Sequence, residues 1–204
     1  MSTIIADPQL QDDLIAERRA SGMDRWDEVW EGTYIIMPLP NTEHQLIGGR
    51  LHTILDMTLG MSGQATVLPG VNVTDRQVHW QENYRCPDVV VYLNDTQAVN
   101  QDTRWYGGPD FGVEVVSAGD QTREKLPFYA KVGTRELLIV DREPWQLELY
   151  RLTGDEMKLV GTATAENETI LESSVIPFRF ALRPDKARPV IQVEHVPTRQ
   201  EWLI

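Results

Sequence analysis

Two acidic side chains in the middle of the 204-residue sequence stand where acids are unexpected. Asp88 follows Cys86-Pro87 and opens the apolar run VVVYL, while Glu114 sits inside FGVEVVS with valines on both sides. A carboxylate in a strand interior loses hydration that only a partner can replace. A divalent cation is one such partner, because hard cations take oxygen ligands from Asp and Glu. Lys125 stands eleven residues after Glu114, early in the next helical segment. A helix packed across the end of that strand returns its ammonium toward the same place. Spacing alone leaves an alternative open: Glu114 alternates onto a solvent face, Asp88 caps a turn, and Lys125 pairs on the helix surface with Asp120 or Glu124.

The remaining candidates carry weaker signals. His44 opens a helix and either lines a site or serves as a cap residue beside Asn41 and Glu43. His52, His79 and His195 have no ligand-like spacing, which argues against zinc. Glu28 and Glu31 flank an early turn and read chiefly as surface acids. Ser117 lacks a GxSxG setting, Cys86 has no histidine close in sequence, and Gly107-Gly108 before Pro109-Asp110 is a tight turn and not a phosphate loop. Six scattered tryptophans suggest core and interface use more than a base-stacking platform.

Periodicity supplies the elements that must position these residues. A first helix spans residues 7–20, with Asp7 as N-cap, Pro8 at N1, and Leu10, Leu14 and Ile15 on one face. Residues 27–37 form two short strands around Glu31-Gly32. Asn41 caps a helix carrying Leu46, Ile47, Leu51, Ile54, Leu55 and Leu59, in which Gly48 and Gly49 imply close packing against a neighbour. Strands follow at 67–73, 88–93 and 111–117, then a helix at 121–132 ended by Gly133. The run ELLIV at 136–140 reads as a buried central strand, and Glu143-Pro144 and Gly154-Asp155 mark hairpins. From Pro184 onward, three prolines and mixed charge suggest an extended arm. This order predicts an α/β or α+β domain around a mixed sheet.

Composition bounds the function classes. Hydrophobic residues make up 41% and charged residues 25%, so a real core is expected and extensive disorder is not. The net charge of −12 argues against a broad phosphate-binding surface, although a local basic face or bound divalent cations can reverse it at one site. The single cysteine rules out a disulfide within the chain. With no apolar leader and no membrane-length apolar run, the expectation is a soluble cytoplasmic protein without membrane association.

Taken in order, these residues resemble the Uma2 family (DUF820) of the PD-(D/E)XK restriction-endonuclease-like superfamily. The resemblance rests on His44 after a Pro-rich turn, Pro87-Asp88 opening a strand, and Glu114-Val-Val-Ser117. It continues through Lys125, Tyr129 and Gly133 to Val140-Asp141 and Leu149-Tyr150, and covers roughly residues 25–182. It implies a restriction-endonuclease-like core of helix, three strands, helix and strand around a mixed sheet with added hairpins. The domain is expected at 25–183, between an N-terminal helical extension (1–24) and a C-terminal extended arm (184–204). It also implies a metal-dependent endonuclease hydrolysing DNA phosphodiester bonds, with Asp88 and Glu114 binding Mg²⁺ (or Mn²⁺ as substitute) and the Val115 carbonyl as a further ligand. Lys125 would be the catalytic lysine and His44 would line the mouth. The superfamily's usual lysine position, two residues after the glutamate, holds Val116 here; in Uma2-like sequences the lysine lies on the helix, which Lys125 fits. A two-fold homodimer is expected, since enzymes that cut both strands commonly pair two sites. The alternative is a catalytically inactive fold serving as a binding or assembly module, which low basicity and Val116 favour.

Overall fold

The computed structural model describes residues 8–204 apart from positions 38, 118 and 120. Helix α1 (Pro8–Ser21) leads into a hairpin of β1 (Glu28–Trp30) and β2 (Thr33–Ile35). Helix α2 (Thr42–Leu55) widens into a π-helical turn (Asp56–Gly60) before β3 (Ala65–Pro69). There follow β4 (Val73–Thr74), β5 (Tyr84–Arg85), β6 (Val89–Leu93), β7 (Val99–Asn100), β8 (Trp105–Tyr106) and β9 (Phe111–Val115). A 3₁₀ turn (Thr122–Lys125) and α3 (Leu126–Lys131) connect to β10 (Glu136–Arg142), β11 (Trp145–Thr153) and β12 (Glu156–Ala163). The chain ends with β13 (Leu171–Glu172), β14 (Phe178–Arg183), β15 (Val190–His195) and β16 (Gln200–Leu203).

The central sheet has the order β12-β11-β10-β9-β6-β3. Only β9 and β10 run parallel in it, joined through α3, and every other neighbour is antiparallel. This is the expected mixed sheet, and ELLIV is its buried interior strand. One face packs on α2 through Ile47, Leu51, Ile54 and Leu55, whose spacing makes one apolar stripe; Leu46 falls outside it and is exposed. The opposite face packs Leu137 and Ile139 against Phe128 and Tyr129 of α3 and Val73 of β4. A second sheet, β2-β1-β5-β4-β8-β7, extends over that face, with Trp105 stacked on Tyr92 of β6.

Other expectations change as well, among them the strand expected at 67–73, which divides into β3 and β4 of different sheets. The helix expected at 121–132 is a 3₁₀ turn followed by the short α3, with Gly133 at φ 81° ending it. The expected extended arm after residue 183 is a β-hairpin of β15 and β16 in a third sheet, β13-β14-β15-β16. Its Ile191, Val193 and the terminal Ile204 are buried in the main core, so the alternation in VIQVEH outweighed the prolines around it. Gly48 and Gly49 have no close neighbour, since a Cβ built on either meets nothing within 4 Å. The Asp7 cap lies outside the described residues. Asn41 does cap α2, its side chain accepting from the His44 N–H at 2.9 Å. Among the described residues, no helix is long and apolar enough to cross a membrane.

Candidate active site

Asp88 and Glu114 meet because β6 and β9 are antiparallel neighbours. Their register pairs Val89 with Val113, and one further step brings Asp88 opposite Glu114. Side chains facing each other across such a pair emerge on the same side of the sheet, about 5 Å apart at Cβ. Asp88 is held at both ends. Its carbonyl accepts from the Gly70 N–H at 3.1 Å, and its Oδ2 accepts from the Val115 N–H at 2.7 Å. The carboxylate thus takes up an amide at the point where the two strands stop pairing.

Glu114 points to the α3 side, opposite Ile139 on β10, and is 3% exposed. Lys125, at the junction of the 3₁₀ turn and α3, is 1% exposed and reaches Glu114 Oε1 at 3.1 Å and Oε2 at 3.2 Å. Tyr129, one turn later, donates its hydroxyl to Glu114 Oε1. Burial first, then the adjacent Glu114, push the Tyr129 phenol well above its ordinary pKa, so it stays a donor. The surface-pairing alternative for Lys125 and the solvent-face alternative for Glu114 are both set aside by this burial.

Glu28 corrects the reading of the early hairpin. It is not a surface acid: it is fully buried, and its Oε1 accepts from Lys125 Nζ at 2.9 Å and from the Cys86 N–H at 2.9 Å. Its Oε2 accepts from Trp30 Nε1 at 2.7 Å. The signal available in the sequence was the one used for Glu114, an acid beside apolar Val29 and Trp30 in a strand. Glu31 behaves as expected, exposed at a turn with φ 46° and paired with Arg76. Tyr129 was also legible, because it follows Lys125 by four residues and so shares its helical face.

His44 borders the same cavity as Asp88 and Glu114, and the cap of α2 comes from Asn41 rather than from the His44 side chain. Its backbone takes part in the α2 cap, and its Nε2 lies 3.4 Å from Asp88 Oδ2. Cys86 is buried beside these carboxylates, and desolvation raises its thiol far above the ordinary value, leaving no thiolate for chemistry. Ser117 lines the same cavity as the carboxylates.

Asp88, Glu114, Val115, Lys125 and His44 all border one cavity of about 440 Å³. Two buried carboxylates, Glu28 and Glu114, pair with Lys125, while Asp88 faces His44. Among the described residues, no three acidic, histidine or cysteine side chains cluster as a metal cage. The oxygen donors of the site are therefore two hard carboxylates, Asp88 and Glu114, bordering one cavity together with Val115. That suits Mg²⁺, which commonly takes one or two carboxylates and leaves its other positions to water and substrate phosphate.

A mixed sheet with α2 on one face, α3 on the other and acids at the divergence of two central strands defines a restriction-endonuclease-like protein. In keeping with this, a crystal structure described as "a putative nuclease belonging to DUF820 from Anabaena variabilis ATCC 29413" superposes with a TM-score of 0.56. The alignment covers 72% of this chain and 80% of that one at 18% identity, a likeness of fold. The Uma2 family model, described as "Putative restriction endonuclease", matches residues 19–184, and the chain belongs to the Uma2 family. No curated protein matches it.

Proposed function

We propose that this protein is a metal-dependent endonuclease that hydrolyses DNA phosphodiester bonds at the Asp88–Glu114–Lys125 site. The observation that carries the reading is convergence: both carboxylates, Val115 and the lysine border one cavity. The same convergence supports an enzyme over a binding module that merely retains the fold. Asp88 and Glu114 would hold Mg²⁺ or Mn²⁺, with the Val115 carbonyl as a further ligand. What such a cation supplies is a water of lowered pKa and positive charge against the phosphoryl oxygens. Lys125, fixed by Glu28, keeps a positive charge at the cavity wall, where it stabilises negative charge developing on the phosphate. Tyr129 holds one oxygen of Glu114 by a hydrogen bond, which fixes the carboxylate's rotation. His44 orients Asp88 from the α2 side.

Cleavage of single-stranded, duplex and branched DNA in Mg²⁺ and Mn²⁺ tests the reading. Cutting that requires the cation and vanishes in Asp88→Asn is the expected result. A wild-type protein that cuts none of the three with either cation refutes it. A two-fold homodimer is also proposed for the assembly, and a monomer in sedimentation at micromolar full-length protein would remove that part.

A further inference from the structure

Gly48 and Gly49 sit together inside α2, where each weakens the helix relative to alanine. Packing gives no reason for them, because a Cβ on either meets nothing within 4 Å. Both border the candidate-site cavity, about one turn along the helix from His44, so the bare helix backbone forms part of its wall. Elsewhere on that wall stands Trp26. Its ring lies so close over Gly70 that a Cβ there would fall 1.9 Å from the ring edge, and Gly70 itself has φ +49°. The Arg25 guanidinium carbon lies 4.9 Å from the centroid of the Trp26 ring. The segment is anchored by the buried Asp27, whose carboxylate accepts from Arg18 Nε at 2.6 Å, Tyr34 OH at 2.6 Å and the Met37 N–H at 2.9 Å. Met37, Leu39, Pro40 and Pro69 complete an apolar wall leading to Asp88 and Glu114.

We propose that this cavity takes one unstacked nucleotide of a single-stranded DNA segment, its base against Trp26 and its sugar-phosphate against the open backbone at Gly48-Gly49. The inference rests on the nuclease reading and specifies its substrate. A volume of about 440 Å³ is that of a small-molecule site, which a base enters only after leaving a duplex stack. Among the described residues, the arginine and lysine side chains bordering the cavity are those of Arg25 and the buried Lys125. Affinity must then come from aromatic and cation–π contact with a base more than from a broad phosphate footprint, and single strands are bound in this way.

Fluorescence anisotropy of an end-labelled single-stranded oligonucleotide and of its blunt duplex, on the full chain with Ca²⁺, tests the proposal. The wild type should hold the single strand at least tenfold tighter than the duplex. Trp26→Ala and Gly48→Leu should each weaken single-strand binding tenfold or more, with the melting temperature of Gly48→Leu equal to or above wild type. Duplex bound as tightly as single strand, or a folded Gly48→Leu that binds single strand like wild type, overturns it. Cleavage of the same two oligonucleotides in Mn²⁺ separates the two readings. Equal cutting of both, unchanged in Gly48→Leu, removes the nucleotide pocket and leaves the nuclease. Tight, Gly48-dependent single-strand binding without cutting removes the nuclease and leaves the pocket.

Discussion

Replacing Lys125 by methionine puts the buried charge network to a quantitative test. The ammonium lies 2.9 Å from Glu28 Oε1 and 3.1 Å from Glu114 Oε1, and all three side chains are almost fully enclosed. Methionine fills similar space but leaves two carboxylates without the cation they share. Removing one partner of a buried ion pair costs about 3–5 kcal/mol, because the remaining charge stays desolvated. Against a total stability of about 5–15 kcal/mol this is a large fraction. With a urea slope of ~2 kcal/mol per molar, a loss of about 4 kcal/mol lowers the unfolding midpoint by about 2 M. Glu28→Gln alone should cost about 1–3 kcal/mol, since the amide oxygen still accepts from Cys86 while a charged hydrogen bond is lost. In the Lys125→Met background the same change removes one of the two uncompensated charges, so the double variant should be more stable than the sum of the singles by about 0.5–3 kcal/mol. Urea melts at neutral pH, followed by circular dichroism, read all three variants. A Lys125→Met midpoint within about 0.5 M of wild type, or strict additivity in the double variant, would show that the lysine is not the charge that makes this site tenable.

Divalent cation should raise the melting temperature of wild type, by about 2.7 kcal/mol of stability at a hundredfold excess over Kd, and the rise should disappear in Asp88→Asn. An equal shift in both proteins would count against Asp88 as a ligand. Deleting residues 190–204 strips Ile191, Val193 and Ile204 from the core. At roughly 1.5–3 kcal/mol each, the loss is comparable to total stability, so the truncated chain should fail to melt cooperatively; a sharp wild-type-like transition would contradict the packing. Burial alone would raise the Asp75 carboxyl, but hydrogen bonds from Lys131 and Asn83 outweigh it and hold the group below its ordinary value. A lowered acid stabilises the fold above its unfolded pKa and loses that contribution as pH falls through the folded value. Lys131→Met should therefore destabilise the protein near neutral pH, with a deficit that closes toward about pH 2; thermal melts showing the same deficit at both pH values would refute this.

Elements bounded by strong local signals were legible. The apolar runs of β6, β9 and β10 declared buried strands, and Asn41 declared the start of α2. The two-residue strands β5, β7 and β8 were not legible, because nothing local specifies them. Trp105 pairs with Val73 only after the chain has closed a long loop between them. The C-terminal hairpin was misread for the opposite reason. Pro189 suggested an arm, yet it stands immediately before β15, where a missing N–H does no harm to the ladder.

The candidate site divides along the same line. Glu114 was conspicuous because it interrupts an apolar run, Asp88 because it opens one, and Lys125 because it stands early in the helix that follows the Glu114 strand. Which carboxylates the lysine would meet was not written locally. Its contact with Glu28 spans 97 residues of sequence and depends on the β1–β2 hairpin reaching over the α3 face of the central sheet. The position the superfamily uses for its lysine offers the contrast. Val116 stands one residue beyond β9, and its side chain packs with the apolar cluster of Phe128 and Tyr129. An ammonium there would displace apolar contacts that hold α3 to the sheet. From the foot of α3, Lys125 reaches the same carboxylate without disturbing them, and the same turn of helix delivers the Tyr129 hydroxyl.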